Sequence, residues 1–129
     1  FFIDLDYFKE VNDEYGHEAG DKVLQEISRR LDSITRKEDF LARIGGDEFI
    51  IIVYPSPTVT KIKILAQRLR DACHRPIELD NCSCKLSSSI GVSISKKGDV
   101  DTTRLFIAAD HAMYEAKKVG KDGYFIDIS

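Results

Sequence analysis

The chain lacks the features that would direct it to a membrane, an oxidising compartment or a nucleic acid. Its longest uninterrupted apolar run, Phe49 to Tyr54, is six residues, against the roughly 20 that a spanning helix needs. No basic start followed by an apolar segment marks a secretory signal. Cysteine is scarce and odd in number. Cys73, Cys82 and Cys84 cannot close a framework of pairs, and no CxxC occurs to suggest a zinc set. Cys82 and Cys84 flank Ser83, so a strand there would place both on one face. Reduced thiols and a cytoplasmic location are the expectation. Positive charge is not in excess either: 19 basic against 22 acidic residues leave a net charge of -3. That balance suggests neither a nucleic-acid groove nor direct contact with an anionic membrane. A polyphosphate ligand would need help from metals or a few placed cations. Repeats, linkers and low-complexity segments are absent as well.

What is present suits a single domain. The 129 residues suffice to bury a core without disulfides or a structural metal. A hydrophobic share of 43% beside 32% charged residues excludes a disordered tail or a fibre. Phe1-Phe2-Ile3-Asp4-Leu5 reads as a buried central strand carrying one acid. Because the sequence opens inside a strand, it is expected to be an N-terminally truncated domain of a longer protein. Tyr7 to Tyr15 reads as a short helix closed by Gly16. After Gly20 a longer one follows, with Val23, Leu24, Ile27, Leu31 and Ile34 at helical spacing. Asp39 to Ile44 and Glu48 to Tyr54 form a hairpin around Gly45-Gly46-Asp47. Thr58 or Thr60 can cap a third helix bearing Ile62, Leu65, Ala66, Leu69 and Ala72, which Pro76 stops. Ile77 to Leu79 and Lys85 to Ser95 read as a second strand pair joined near Asp80-Asn81. The last helix spans Thr103 to Val119, turning Leu105, Phe106, Ala109, Ala112, Met113 and Ala116 inward, with Gly120 as its stop. Tyr124 to Ile128 is a closing strand.

Adjacent hairpins exclude an all-parallel doubly wound sheet. The expected fold class is α+β: a mainly antiparallel central sheet covered by helices, a βαββαβ core of the palm and nucleotide-cyclase type. A fold alone gives no function; the side chains must supply it.

Four groups could carry chemistry. Asp4 sits too far inside its strand to cap a helix, and a carboxylate there is costly unless paired or bound to a cation, so it reads as a cation ligand. Asp6 suits a helix N-cap. Gly45-Gly46-Asp47-Glu48 makes a tight turn, or a metal site. Two glycines admit a backbone close to a ligand, and two adjacent acids are hard oxygen donors of the kind Mg²⁺ takes. The helix after Asp6 offers free N–H groups to an anion, while His17 beside Gly16 suits a turn or a packing role. Lys117 and Lys121 around Gly120 suit ordinary charging of a helix C-terminus.

Arg43-Ile44-Gly45-Gly46-Asp47-Glu48-Phe49 resembles the signature hairpin of the GGDEF family, the diguanylate cyclases. Asp4 to Asp13, then Gly16-His17 and Gly20-Asp21, resemble that family's first half-site. Ser89 to Ser93, Ala109-Asp110 and Tyr114 to Lys121 resemble its later segments. Each motif alone is weak; all of them in this order are specific.

The resemblance implies a diguanylate cyclase: two GTP condense into cyclic di-GMP and two pyrophosphates, with Mg²⁺ (or Mn²⁺) as cofactor. It implies that Asp4 and Asp47 bind metal by side chain and Leu5 by its carbonyl, with Glu48 a ligand or the base for the attacking 3′-hydroxyl. Tyr7, Phe8 and Lys9, with Lys117 and Lys121, would hold the β- and γ-phosphates. Asn12 and Asp21 would read guanine, and Gly45 and Gly46 would leave room for the nucleotide. Each domain holds one GTP, so catalysis needs a homodimer with two-fold symmetry. Arg36-Lys37-Glu38-Asp39 stands where the family has an Arg-x-x-Asp product-inhibition site; otherwise it is a charged loop. Lys121 replaces the family's usual Arg, turning a fork-shaped contact into a point charge, and Asp122 replaces a common Asn. An upstream Leu-Thr-Gly-Leu-type segment is missing. Two other readings compete: a non-catalytic domain that binds GTP or cyclic di-GMP, against which the intact Asp4, Asp47, Glu48, Asn12 and Asp21 argue, and a cyclase that also takes ATP, against which Asp21 argues.

Overall fold

The computed structural model describes residues 1–95 and 101–128. The element order is β1 (Phe2–Asp6), α1 (Phe8–Tyr15), α2 (His17–Ile34), β2 (Phe40–Gly45), β3 (Glu48–Ile52), α3 (Val59–His74), β4 (Ile77–Glu78), β5 (Ser83–Cys84), β6 (Ser87–Ser93), α4 (Thr102–Lys118) and β7 (Gly123–Asp127). Five strands form one sheet in the order β2-β3-β1-β6-β7. All neighbours in it are antiparallel except β6 and β7, which run parallel. The α+β architecture expected from the sequence is therefore the one observed. β1 lies in the middle of the sheet, which explains its apolar run.

Alternation along the strands sends two sets of side chains to opposite faces. Ile3, Leu5, Phe49, Ile51, Ile90 and Val92 join Val23, Ile27 and Leu31 of α2 and Ile62, Ala66 and Leu69 of α3 in the main core. On the other face Phe2 and Ile50 pack against Ala109 and Met113 of α4. α4 lies very close to β6 there. A Cβ placed on Gly91 would stand 2.0 Å from the Ala109 carbonyl oxygen and 2.2 Å from the Met113 amide nitrogen, so only glycine permits this packing.

Helix ends follow local chemistry. The Thr58 hydroxyl accepts from the Lys61 amide at 3.3 Å and caps α3. At the end of α4 the Gly120 amide donates to the Lys117 carbonyl and the Lys121 amide to the Ala116 carbonyl, the paired pattern of a Schellman stop with Gly120 at positive φ.

The structure corrects several expectations. Ile77–Glu78 pairs with Ser83–Cys84 in a separate two-stranded sheet; the residues from Ser87 onward instead pair with β1 and β7. α2 begins at His17, so Gly20 lies inside the helix rather than before it. Phe106 is exposed, touching Phe2 only edge-on with ring centroids 5.4 Å apart. Cys84 is buried whereas Cys82, just outside β5, is exposed, and all three cysteines are free thiols. Among the described residues no helix is long and apolar enough to cross a membrane.

Candidate active site

The acids gather where the middle of the sheet meets the β2–β3 turn. Asp4 pairs in register with Glu48 across β1 and β3, and the Leu5 amide donates to the Asp47 carbonyl at 3.1 Å, fastening the turn to β1. The carboxylates of Asp4, Asp47 and Glu48, each half-buried, come within 4.8 Å of one another. Burial, and then the neighbouring Asp47 charge, push the Asp4 carboxyl up to about 6 despite the pull of Lys117. Three hard oxygen donors that repel one another when ionised form a set that a divalent cation would relieve, so the residues fit Mg²⁺ or Mn²⁺.

The glycines of the turn add a second sign. Arg43 donates to the Gly46 carbonyl at 3.0 Å and steadies the turn. Neither Gly45 nor Gly46 has a left-handed backbone. A Cβ on Gly46 would meet nothing, and one on Gly45 would make only ordinary contact with Glu48. Among the described residues nothing demands glycine at either position, so the space they leave open faces outward.

Asp6 overturns its expected role. The residue before α1 is Tyr7, in the left-handed region at φ 66, and no side chain caps that helix. The Asp6 carboxylate is instead buried and saturated. It accepts from the Ser87 hydroxyl at 2.6 Å, the Ser89 hydroxyl at 2.7 Å, the Asp122 amide at 2.9 Å and Lys117 Nζ at 3.1 Å. Burial raises its pKa, but the hydrogen bonds from Ser87, Ser89, Asp122 and Lys117 outweigh it and hold the carboxyl below its ordinary value. Lys117 thereby reaches from α4 to stand also 3.4 Å from Asp4. The sequence carried one hint of this: serines at alternate positions 87 and 89, in the serine-rich start of β6. It carried none for the brace behind it, where Arg70 of α3 grips Asp122 through its carbonyl at 2.9 Å and its carboxylate at 3.1 Å. Lys121 and Asp122 both have left-handed backbones, and this conformation sets Lys121 Nζ 4.4 Å above the Tyr7 ring. A cleft of about 310 Å³ opens there, bordered by Tyr7, His74, Lys85, Ser87, Lys121 and Asp122. Tyr7, which borders it, directly precedes α1, and Lys9 is exposed on that helix's first turn.

Asn12 on α1 lies against Gly20 of α2, one residue from the exposed Asp21. Arg36 and Asp39 stand apart from the acids, separated from Gly45 by the length of β2, roughly 20 Å at the usual strand rise. They bind each other: Arg36 donates to Asp39 through its amide at 2.8 Å and its guanidinium at 3.0 Å. The Asp39 side chain is 2% exposed, against 48% for Arg36.

The family model described as "Diguanylate cyclase, GGDEF domain" matches residues 1–123. The chain is 41% identical over 125 residues to the signaling protein YkoW of Bacillus subtilis, a match covering 96% of this chain and 16% of that protein. It is 38% identical over 126 residues to the bifunctional diguanylate cyclase/cyclic di-GMP phosphodiesterase MucR of Pseudomonas aeruginosa, covering 95% of this chain and 18% of that protein. The chain thus spans under a fifth of these curated relatives. The solved GGDEF domain of PA1120 (YfiN or TpbB) from Pseudomonas aeruginosa superposes with a TM-score of 0.92 at 33% identity, covering 99% of this chain and 80% of that one.

Proposed function

The chain belongs to the diguanylate cyclase GGDEF-domain family, and on that premise we propose that it is the catalytic module of a longer signalling protein, joining two GTP into cyclic di-GMP with release of two pyrophosphates. The observation that carries the reading is the cluster of Asp4, Asp47 and Glu48 carboxylates within 4.8 Å, beside an open glycine turn and two lysines. Mg²⁺ or Mn²⁺ bound by those acids, with the Leu5 carbonyl, would neutralise triphosphate charge and acidify the attacking hydroxyl.

The chain's own residues bind, orient and exclude. Lys117 and Lys121, with the amides of Tyr7 and Phe8 and the side chain of Lys9, hold the β- and γ-phosphates. Asn12 and Asp21 hydrogen-bond the guanine edge. Gly45 and Gly46 give the nucleotide room over the turn. Glu48 is a metal ligand or receives the proton of the 3′-hydroxyl. Each 3′-oxygen attacks the α-phosphate of the other GTP, so two domains face each other across a two-fold axis. Arg36, with Asp39 as its partner, forms a site for the product as inhibitor. Retention of all three acids speaks against a module that only binds nucleotide.

The test is incubation of the intact protein with GTP and Mg²⁺, at a series of protein concentrations, with chromatographic identification of the product. Cyclic di-GMP formed at a rate rising faster than linearly with protein supports the reading. GTP left unchanged by a demonstrated dimer, or turnover that persists in chelator, overturns it.

A further inference from the structure

α2 carries a glycine in its first turns, where alanine would favour the helix. Gly20 is buried, and its backbone is ordinary right-handed helix. What occupies the space of its missing side chain is Asn12. A Cβ on Gly20 would lie 1.8 Å from Asn12 Oδ1 and 2.9 Å from Asn12 Cγ, while its third neighbour, Phe8 Cζ, would sit at an ordinary 3.4 Å. The conflict is therefore with the end of one flexible side chain and with no backbone atom. Asn12 is half-buried on α1, so its carboxamide can turn away toward solvent.

We propose that Gly20 is a specificity-determining position: its bare surface is the floor on which the Asn12 carboxamide lies, and that floor fixes the direction in which Asn12 meets the guanine edge. This inference rests on the reading of Asn12 as a base contact. A methyl group at position 20 displaces the carboxamide, and the base then loses a hydrogen-bonding partner while the phosphate and metal groups stay in place. Gly20 thus acts through Asn12 as a positioning residue. Fold stability and base recognition pull in opposite directions at this site, which a purely structural glycine would not show.

The experiment compares Asn12→Ala, Gly20→Ala and the double variant in the intact protein, with melting temperature and initial rates on GTP and ATP as readouts. Gly20→Ala is expected to melt at the same temperature or a few degrees higher, as a helical Gly→Ala change does. Its preference for GTP over ATP should fall about tenfold, equivalent to about 1.4 kcal/mol of discrimination, chiefly through KM for GTP. In the Asn12→Ala background the same change should cost no further preference. Unfolding of Gly20→Ala, an unchanged preference beside a sensitive Asn12→Ala, or an undiminished effect in the double variant overturns the inference. If Asn12→Ala itself leaves the preference intact, the base-pocket reading fails and takes the inference with it.

Discussion

On the α2 and α3 side of the central sheet, Ile3, Leu5, Phe49, Ile51, Ile90 and Val92 meet an apolar wall. On the α4 side the same strands present Phe2 and Ile50 at one end and Asp4, Asp6, Glu48, Ser87 and Ser89 at the other. The first face is redundant: many contacts of one kind, each replaceable by another apolar group at moderate cost. The second is a single connected network running from Arg70 through Asp122, Asp6 and Lys117 to Asp4, in which each partner is specific. The difference separates a face that holds the domain together from one that fixes the acids of the candidate site.

Asp4 and Asp6 condense that contrast into two side chains on one strand. Both leave β1 toward the α4 face. Asp6 is filled by four donors and held below its ordinary pKa. Asp4 has a longer contact to Lys117 at 3.4 Å and is pushed up to about 6 by burial and by Asp47. Strand alternation gives the two aspartates the same face; cross-strand neighbours give them different work.

The sharpest way to break the first face is Phe49→Ala. Phe49 is buried and pairs with Ile3. Its loss should cost about 3–5 kcal/mol, a large part of a domain's total stability, measured by denaturant melts. Whatever fraction stays folded should retain its specific activity. A stable variant with lost activity would show that the apolar face participates in the chemistry.

Next in size is Asp47→Ala. Removal of one member of the acid cluster should lower nucleotide turnover by at least roughly 10²-fold, as loss of a main transition-state electrostatic contact does. Circular dichroism and melting temperature should be unchanged, because the change also relieves repulsion with Asp4. Full activity would remove the acid cluster from the mechanism.

A smaller effect divides the two aspartates. Asp6→Asn keeps the shape but turns an NH₂ group toward donors, leaving at least one unpaired, so about 1–3 kcal/mol should be lost. Asp4→Asn removes a charge that its surroundings disfavour, and should be neutral or mildly stabilising without metal. Melts of both variants in chelator check the opposite signs. Equal destabilisation would mean that Asp4 is as much a structural residue as Asp6.

Much of this was legible in the sequence where the signal is local. Apolar spacing marks α2, α3 and α4; Gly45-Gly46-Asp47 marks the hairpin; Thr58 and Gly120 mark helix ends. The adjacent acids at 47 and 48, with Asp4, mark a candidate cluster before any geometry is known, and the three carboxylates do come within 4.8 Å of one another. What stayed hidden depends on partners far along the chain. Asp6 fits the local pattern of an N-cap, yet it meets serines more than 80 residues away. The parallel pairing of β6 with β7 and the small β4–β5 sheet leave no periodic trace. Arg30 looks like one more charge on α2, but it is buried and donates to the carbonyls of Ala72, Arg75 and Pro76 at 2.9, 2.8 and 2.8 Å. It closes the open end of α3 with a side chain from another helix.

Arg30 also supplies the smallest test, on the apolar side of the sheet, where one polar device does appear. Glu26 accepts from Arg29, and from Arg30 Nε at 3.1 Å. Chiefly the Arg29 hydrogen bond, against the cost of burial and with Arg30 adding to it, draws the Glu26 carboxyl down to about 2 from an ordinary 4.5. A folded-state pKa below the unfolded one adds stability above the unfolded value and loses it as pH falls through the folded value. The window therefore runs from about 4.5 down to about 2. Glu26 is partly exposed, so solvent screens the pair and Glu26→Gln should cost at most about 1 kcal/mol at neutral pH. The gap between parent and variant should close steadily across that window in pH-dependent urea melts. A gap that persists at its acid end would mean that the substitution disturbed the packing of Arg30 against the end of α3, and that the Glu26 charge contributes little.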